Sequence, residues 1–331
     1  MPQTNVPAVL ETAPMHPAFA GFLAQAAAQG NPPLETLPPE VGRQIYRDLN
    51  QALNLPPPDI AGTADRTIEG PGGPLALRVY KPVGAGGALP VLLYLHGGGW
   101  VIGDLDTHDE VCRRLCHGVH AIVVALDYRR APEHPFPAAL DDAEAALAWL
   151  AQHADELGGD AARLALAGDS AGGQLSVALA QRLAGKIALR VEDKIALRAI
   201  GLIYPVAQHY TAPSASYAEN GEGKFLTMGV MTWFADQYLA GQSGAVEHPD
   251  FKLLGSPRLG SLPPTWVATM GHDPLRDEGH ALAQQMEAAG VAVQHRHWPD
   301  GIHACIHFTA VAPVGAQLLD ELAAWLRTRL A

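Results

Sequence analysis

Ser170 sits in Gly168-Asp169-Ser170-Ala171-Gly172-Gly173, directly after the apolar run Leu164-Ala165-Leu166-Ala167 and directly before Gln174-Leu175-Ser176-Val177-Ala178-Leu179-Ala180. The run reads as a buried strand and the following stretch as a helix. Gly-x-Ser-x-Gly at such a junction is a nucleophile elbow, in which a sharp turn lifts the serine Oγ clear of the sheet and glycines avoid side-chain collisions. The turn also sets Ser170 at a helix N-terminus, where free N–H groups favour a reacting oxyanion. A glycine-rich tight connection with no chemistry has the same composition, so the other parts of a site must be present too.

Acyl transfer needs a base, a group that orients the base, and donors for the developing oxyanion. For the acid, Asp273 follows a strand in Gly271-His272-Asp273-Pro274-Leu275-Arg276-Asp277-Glu278-Gly279. Asp277 and Glu278 compete, but they fall where a helix begins, and helix capping accounts for them. For the base, His303 in Asp300-Gly301-Ile302-His303 follows the last strand by one loop, and His307 is its rival among 15 histidines. His295 and His297 alternate on a strand face as an expected solvated pair. Backbone donors are offered by His96-Gly97-Gly98-Gly99 after a strand and by Ala171 beside the nucleophile. The order Ser, Asp, His is that of α/β-hydrolases.

These positions require a frame. Strands are expected at Leu75–Tyr80, Leu89–Leu95, Ala121–Leu126, Leu164–Ala167, Ala199–Tyr204, Thr265–Met270 and Val291–Trp298, and helices alternate with them from about Asp106 onward. The helices cover Asp106–Cys116, Ala138–Ala151, the stretch after the elbow, Glu278–Ala289 and Gln317–Leu330. The alternation implies a mostly parallel sheet flanked by helices. Two further helices precede it: Ala18–Gln29 and Pro39 to about Leu53, the second with Val41, Ile45, Leu49 and Leu53 at helical spacing. Between Val206 and about Leu259 only Thr227–Leu239 reads as helical, and an insertion that leaves the sheet after a strand end is read as a cap over the site. The expected organisation is residues 1–60 as N-terminal helices contributing to the cap, 61–206 and 260–331 as the core, and 207–259 as the cap insertion.

Composition bounds the partners. The chain has 331 residues, 48% of them hydrophobic, enough for a sizeable core, and a formal charge of −12 that argues against nucleic acid or anionic membranes. Three cysteines are too few for a disulfide framework and point to a reducing compartment, hence a cytoplasmic expectation. Cys112 and Cys116 with His108, His117 and His120 form a conceivable metal set, but buried structural thiols are the commoner meaning. No His-Glu-x-x-His pattern, signal peptide or bilayer-spanning run is evident. Lys186–Arg190 and Lys194–Arg198 duplicate one another but are too short for a repeat fold.

His96-Gly97-Gly98-Gly99-Trp100, Asp127-Tyr128-Arg129-Arg130-Ala131-Pro132-Glu133-His134-Pro135-Phe136-Pro137, Gly168–Gly173, Tyr204-Pro205 and Asp273–Gly279 occur in the order found in the bacterial hormone-sensitive-lipase-like esterases, and about residues 75–331 resemble that family. The resemblance implies an α/β-hydrolase fold with a helical cap, and a carboxylesterase whose triad is Ser170, Asp273 and His303. It implies Gly97, Gly98 and Ala171 as oxyanion donors, and the Gly-Asp-Ser-Ala-Gly variant belongs to the subgroup whose acid is usually Asp. Trp100, Asp169 and Tyr204, within these motifs, are the expected substrate-binding residues. The chain departs from the family at His303-Ala304-Cys305, where His-Gly-Phe is common, and Cys305 beside the base raises the expectation of sensitivity to thiol reagents.

The expected chemistry is ester hydrolysis through an acyl-enzyme, with no metal or organic cofactor, on short- to medium-chain substrates suited to a pocket bearing Met231, Trp233 and Phe234. A non-catalytic small-molecule receptor of the same fold, or an amidase or lactonase with the same triad, are the alternatives. The last strand is the expected edge for a homodimer.

Overall fold

The computed structural model describes residues 10–11, 13–84, 86–185, 196–242 and 244–331, so the duplicated Lys186–Arg190 and Lys194–Arg198 pair lies largely outside the described residues. In chain order the first elements are α1 (Pro17–Ala28), α2 (Pro39–Leu53), β1 (Gly62–Gly70), β2 (Gly73–Lys81), β3 (Leu89–Leu95), α3 (Asp109–Val119), β4 (Ile122–Asp127) and α4 (Ala138–His153). There follow β5 (Gly159–Asp169), α5 (Ala171–Gly185), β6 (Leu197–Ile203), α6 (Ala215–Asn220), α7 (Met228–Leu239), β7 (Thr265–His272), α8 (Arg276–Ala288), β8 (Val293–Ile302) and α9 (Val314–Leu330).

The strands form one sheet in the order β1-β2-β4-β3-β5-β6-β7-β8. From β4 to β8 every pairing is parallel, and β1 and β2 attach in antiparallel fashion at one side. The central strands are apolar throughout because both of their faces are covered. On β3, Val91, Leu93 and Leu95 enter the core beneath α4 and α5, while Leu92 and Tyr94 enter the core beneath α3 and α9, as a period of two requires.

Two elements differ from expectation. The strand β1, Gly-Thr-Ala-Asp-Arg-Thr-Ile-Glu-Gly, buries only Ile68, and it exists because all nine residues pair with β2. An edge strand needs no apolar face on its solvent side. On α2 the expected stripe is not the buried face: Gly42, Tyr46 and Asn50 are buried, whereas Val41 and Ile45 are 40% and 39% exposed. Ile45 and Leu49 turn instead toward an open cavity.

The insertion after β6 carries α6 as well as α7. Thr227 caps α7, its hydroxyl accepting the Val230 N–H at 3.2 Å. Cys112 and Cys116 are buried in the core, and among the described residues no three-ligand group contains either thiol. No helix among the described residues is long and apolar enough to cross a membrane.

Candidate active site

The chain turns sharply between β5 and α5 at Ser170, whose φ of 53° lies in the left-handed region that L side chains avoid. The turn is held by the Ser170 N–H to Ile203 O at 2.8 Å. Its two glycines are steric necessities: a Cβ on Gly168 would stand 2.4 Å from Gly172 O, and one on Gly172 would stand 1.9 Å from Leu95 O.

Asp273 follows β7 and His303 follows β8, so neighbouring parallel strands deliver both to the same sheet edge as Ser170. His303 Nδ1 lies 2.7 Å from Asp273 Oδ2, and His303 Nε2 lies 3.1 Å from Ser170 Oγ. Asp273 is fully buried, and its Oδ1 accepts the Leu275 N–H at 2.8 Å. A carboxylate on Nδ1 assigns the ring proton to that nitrogen and leaves Nε2 to accept from the serine hydroxyl. The rivals have other partners. Asp277 accepts the Ser216 N–H at 2.8 Å, and Glu278 accepts the Ala207 N–H at 2.7 Å and the Tyr217 hydroxyl proton. Both therefore bind the insertion to α8, a role beyond helix capping. Burial pushes the Glu278 carboxyl up to about 8.

His307 makes no hydrogen bond to Ser170. It is fully buried, edge-on to His108 with ring centroids 4.5 Å apart, and burial together with His108 pulls its imidazole down to about 4. His295 and His297 are partly buried and both contact Thr269 Oγ1 at 2.9 Å, so they are not the solvated pair that strand alternation suggested. Thr269 on the neighbouring strand supplies the polar partner that lets them face inward.

The glycine loop requires one correction. Gly97 N–H donates to Asp169 Oδ1 at 2.9 Å and is thereby engaged inside the protein, so it is not the oxyanion donor expected from the sequence. Gly98 and Gly99 border the cavity beside Ser170, with φ of 109° and 59°. A Cβ on Gly98 would meet Ile102 O at 2.3 Å, and one on Gly99 would meet the Phe234 ring at 2.1 Å. Ala171 opens α5, where the first N–H groups have no intrahelical partner.

Of the three expected substrate-binding residues, Asp169 and Trp100 border the cavity and Tyr204 does not. Asp169 is buried and accepts from Tyr94 OH at 2.8 Å as well as from Gly97, and although burial alone would push its carboxyl up, His108 and His307 hold it well below the usual carboxylate range. Trp100 stacks on Tyr238 of α7 at 4.4 Å and donates to Gln174 Oε1 at 3.4 Å. Tyr204 lies under His303 with centroids 4.5 Å apart and does not border the cavity. The sequence reading gave Tyr94 and Tyr128 no role and placed His108 only in a conceivable metal set with Cys112, Cys116, His117 and His120. The one available signal was that an acid preceding the nucleophile, if buried, must find donors. Tyr128 stacks on His96 at 4.0 Å and donates to His96 O at 2.8 Å, bracing the loop from behind.

Above Ser170 and His303 lies a cavity of about 600 Å³, walled by Ile45, Tyr46 and Leu49 of α2, the 225–231 stretch and Phe234. Its size falls within the roughly 300–1,000 Å³ of small-molecule sites.

The model of a family described as alpha/beta hydrolase fold matches residues 92–307. A carboxylic ester hydrolase of Mycobacterium tuberculosis, LipN, is 40% identical over 278 residues, 83% of this chain and 73% of that one. The carboxylesterase NlhH of the same organism is 37% identical over 302 residues, 87% of this chain and 90% of its own. Among solved structures, a thermostable esterase from Pseudomonas putida superposes with a TM-score of 0.89 at 33% identity, covering 97% of this chain and 99% of that one.

Proposed function

The chain belongs to the alpha/beta-hydrolase family and is a carboxylic ester hydrolase, and from that premise we propose that it cleaves short- to medium-chain acyl esters through Ser170, His303 and Asp273. The observation that carries the reading is the continuous path from Ser170 Oγ to His303 Nε2, 3.1 Å, and from His303 Nδ1 to Asp273 Oδ2, 2.7 Å.

In this reading Ser170 Oγ attacks the ester carbonyl as its proton passes to His303 Nε2. The negative charge that forms on the carbonyl oxygen is met by the N–H groups of Gly98, Gly99 and Ala171. Collapse of the tetrahedral species breaks the carbon–oxygen bond, and the imidazolium returns the proton to the departing alcohol. Water then enters, gives a proton to His303 and attacks the acyl-serine, and the acid leaves with Ser170 restored. Asp273 keeps the imidazole in one tautomer and stabilises its positive charge throughout. No metal or cofactor enters this sequence.

The segments 1–60 and 207–259 act as the cap: Ile45, Leu49 and Phe234 border the cavity that contains Ser170. An apolar chamber of about 600 Å³ supports substrates of limited acyl length. The β8 edge, which no strand among the described residues covers, is where a second copy would pair. The test is hydrolysis of p-nitrophenyl esters of increasing acyl length by the native chain and by Ser170→Ala. Turnover that peaks at a short or medium chain and is abolished in the variant supports the reading. Turnover that persists in the variant removes it.

A further inference from the structure

Behind the nucleophile, His108 before α3, Asp169 at the end of β5 and His307 in the turn Cys305–His307 converge on one buried point. Each offers a ligand atom, and these atoms lie within 4.8 Å of one another. His108 Nε2 stands 3.2 Å from Asp169 Oδ1, and His307 Nε2 stands 3.7 Å from Asp169 Oδ2.

The first indication is the donor set itself, two imidazoles and a carboxylate facing one another in the interior. Thr107 Oγ1 contacts His108 Nδ1 at 2.9 Å and so holds the ring with its other nitrogen, Nε2, toward Asp169. The Gly97 N–H approaches the other nitrogen, Nε2, at 3.3 Å. His307 adds the second indication: it is fully buried, and neither of its ring nitrogens has a hydrogen-bond partner.

We propose that His108 Nε2, the Asp169 carboxylate and His307 Nε2 bind one divalent transition-metal ion of the zinc class, and that occupancy slows the enzyme. Two imidazoles and one carboxylate are the donor set of zinc and its neighbours rather than of magnesium or calcium. The ligands are already oriented from outside, His108 by Thr107 and Asp169 by Tyr94, as metal ligands usually are. Asp169 and Tyr46 both border the substrate cavity, and Tyr46 lies edge-on to His307 at 5.6 Å, so an ion reaches the site through the cavity floor.

Ligand bonds of about 2.0–2.2 Å place tetrahedral ligand atoms roughly 3.3–3.6 Å apart, so the ion closes the 3.7 Å gap between His307 Nε2 and Asp169 Oδ2. Asp169 then moves relative to Gly97, and the loop carrying Gly98 and Gly99 moves with it. The loss of rate rests on the esterase reading above, whereas binding does not.

Binding is read with Co2+ on the native full-length chain, and inhibition with Zn2+. The expected result is one strongly absorbing, low-coordinate Co2+ per chain that Zn2+ displaces. Zn2+ should lower kcat at least tenfold with KM little changed, reversibly with EDTA. His307→Gln and His307→Phe should keep metal-free kcat within about twofold, lose the Co2+ band and resist Zn2+. A weak octahedral spectrum alone, or Zn2+ inhibition undiminished in folded His307 variants, overturns the proposal. Should neither variant fold, Co2+-shifted imidazole proton signals in the native protein decide: signals from His108 and His307 support the site, and their absence, or signals from His303 instead, overturns it.

Discussion

Asp169 Oδ1 accepts the Gly97 N–H at 2.9 Å, so the acid beside Ser170 also fixes the glycine loop, which on the proposed mechanism carries the oxyanion donors. Asp169→Ala leaves the Gly97 N–H and the Tyr94 hydroxyl without their buried partner. A displaced donor loop costs transition-state binding more than ground-state binding, so kcat should fall about 10²-fold or more while KM changes little. Steady-state kinetics on protein shown to be folded by circular dichroism checks this. A large rise in KM with kcat intact would instead make Asp169 a substrate contact.

Ser170→Ala and His303→Gln should each reduce kcat by about 10⁴ or more, and the double variant should lose no more than the worse single one, because the two residues act as a unit. Independent losses that multiply would mean that the 3.1 Å contact between them is not the proton path.

Gly99 faces the ring of Phe234, which an added Cβ would approach to 2.1 Å, and its φ is 59°. Gly99→Ala should therefore lower kcat/KM at least tenfold through both overlap and backbone strain. Combining it with Phe234→Ala relieves only the overlap, so part of the loss should return and longer acyl chains should gain. Full additivity of the two single effects in a double-mutant cycle would show that the ring does not bear on the loop.

Cys305 follows His303 by two residues, yet its thiol is fully buried against Met270 Sδ at 3.7 Å, and burial pushes its pKa well up. A protonated, inaccessible thiol is unreactive. Sequence proximity to the base had suggested inhibition by thiol reagents. Iodoacetamide on the native enzyme should leave kcat within about twofold of the untreated value, with Cys305 unmodified by mass spectrometry.

What the sequence reveals depends on whether chain-local chemistry decides the outcome. The run at Leu89–Leu95 follows from apolar periodicity and is a strand in the structure, while Ser170 and Asp273, singled out by glycine spacing and position after a strand, both contact His303. Choosing His303 over His307 needed the 2.7 Å contact to Asp273, because both histidines lie in one short stretch after β8. Gly97 and Gly99 are identical letters, and only the fold shows that the Gly97 N–H is tied to Asp169 while Gly99 borders the cavity. Likewise the α2 stripe predicts an apolar face correctly but cannot say that Ile45 and Leu49 meet a cavity rather than a core.

Glu278 gives the enzyme a measurable pH dependence of stability. It is about 1% exposed, tied to Ala207 and Tyr217, and burial raises it from an ordinary 4.5 to about 8. The folded chain therefore holds a proton that the unfolded chain has already lost between those two values. Since stability falls with pH wherever the folded state binds more protons, this contribution is fully present below about 4.5 and is lost as pH rises through about 8. At about 1.4 kcal/mol per unit, the loss is on the order of 5 kcal/mol once Glu278 is fully ionised. Glu278→Gln keeps an oxygen for the Ala207 N–H and an amide for the Tyr217 hydroxyl oxygen, and it removes the titration. Urea unfolding of both proteins from pH 4 to 9 should show the variant gaining on the native chain as pH rises, with most of the gain between pH 5 and 8. Buried neutral histidines titrate alike in both proteins and cancel in the difference. A stability difference that stays flat across that range would place Glu278 as an ordinary ionised anchor at neutral pH.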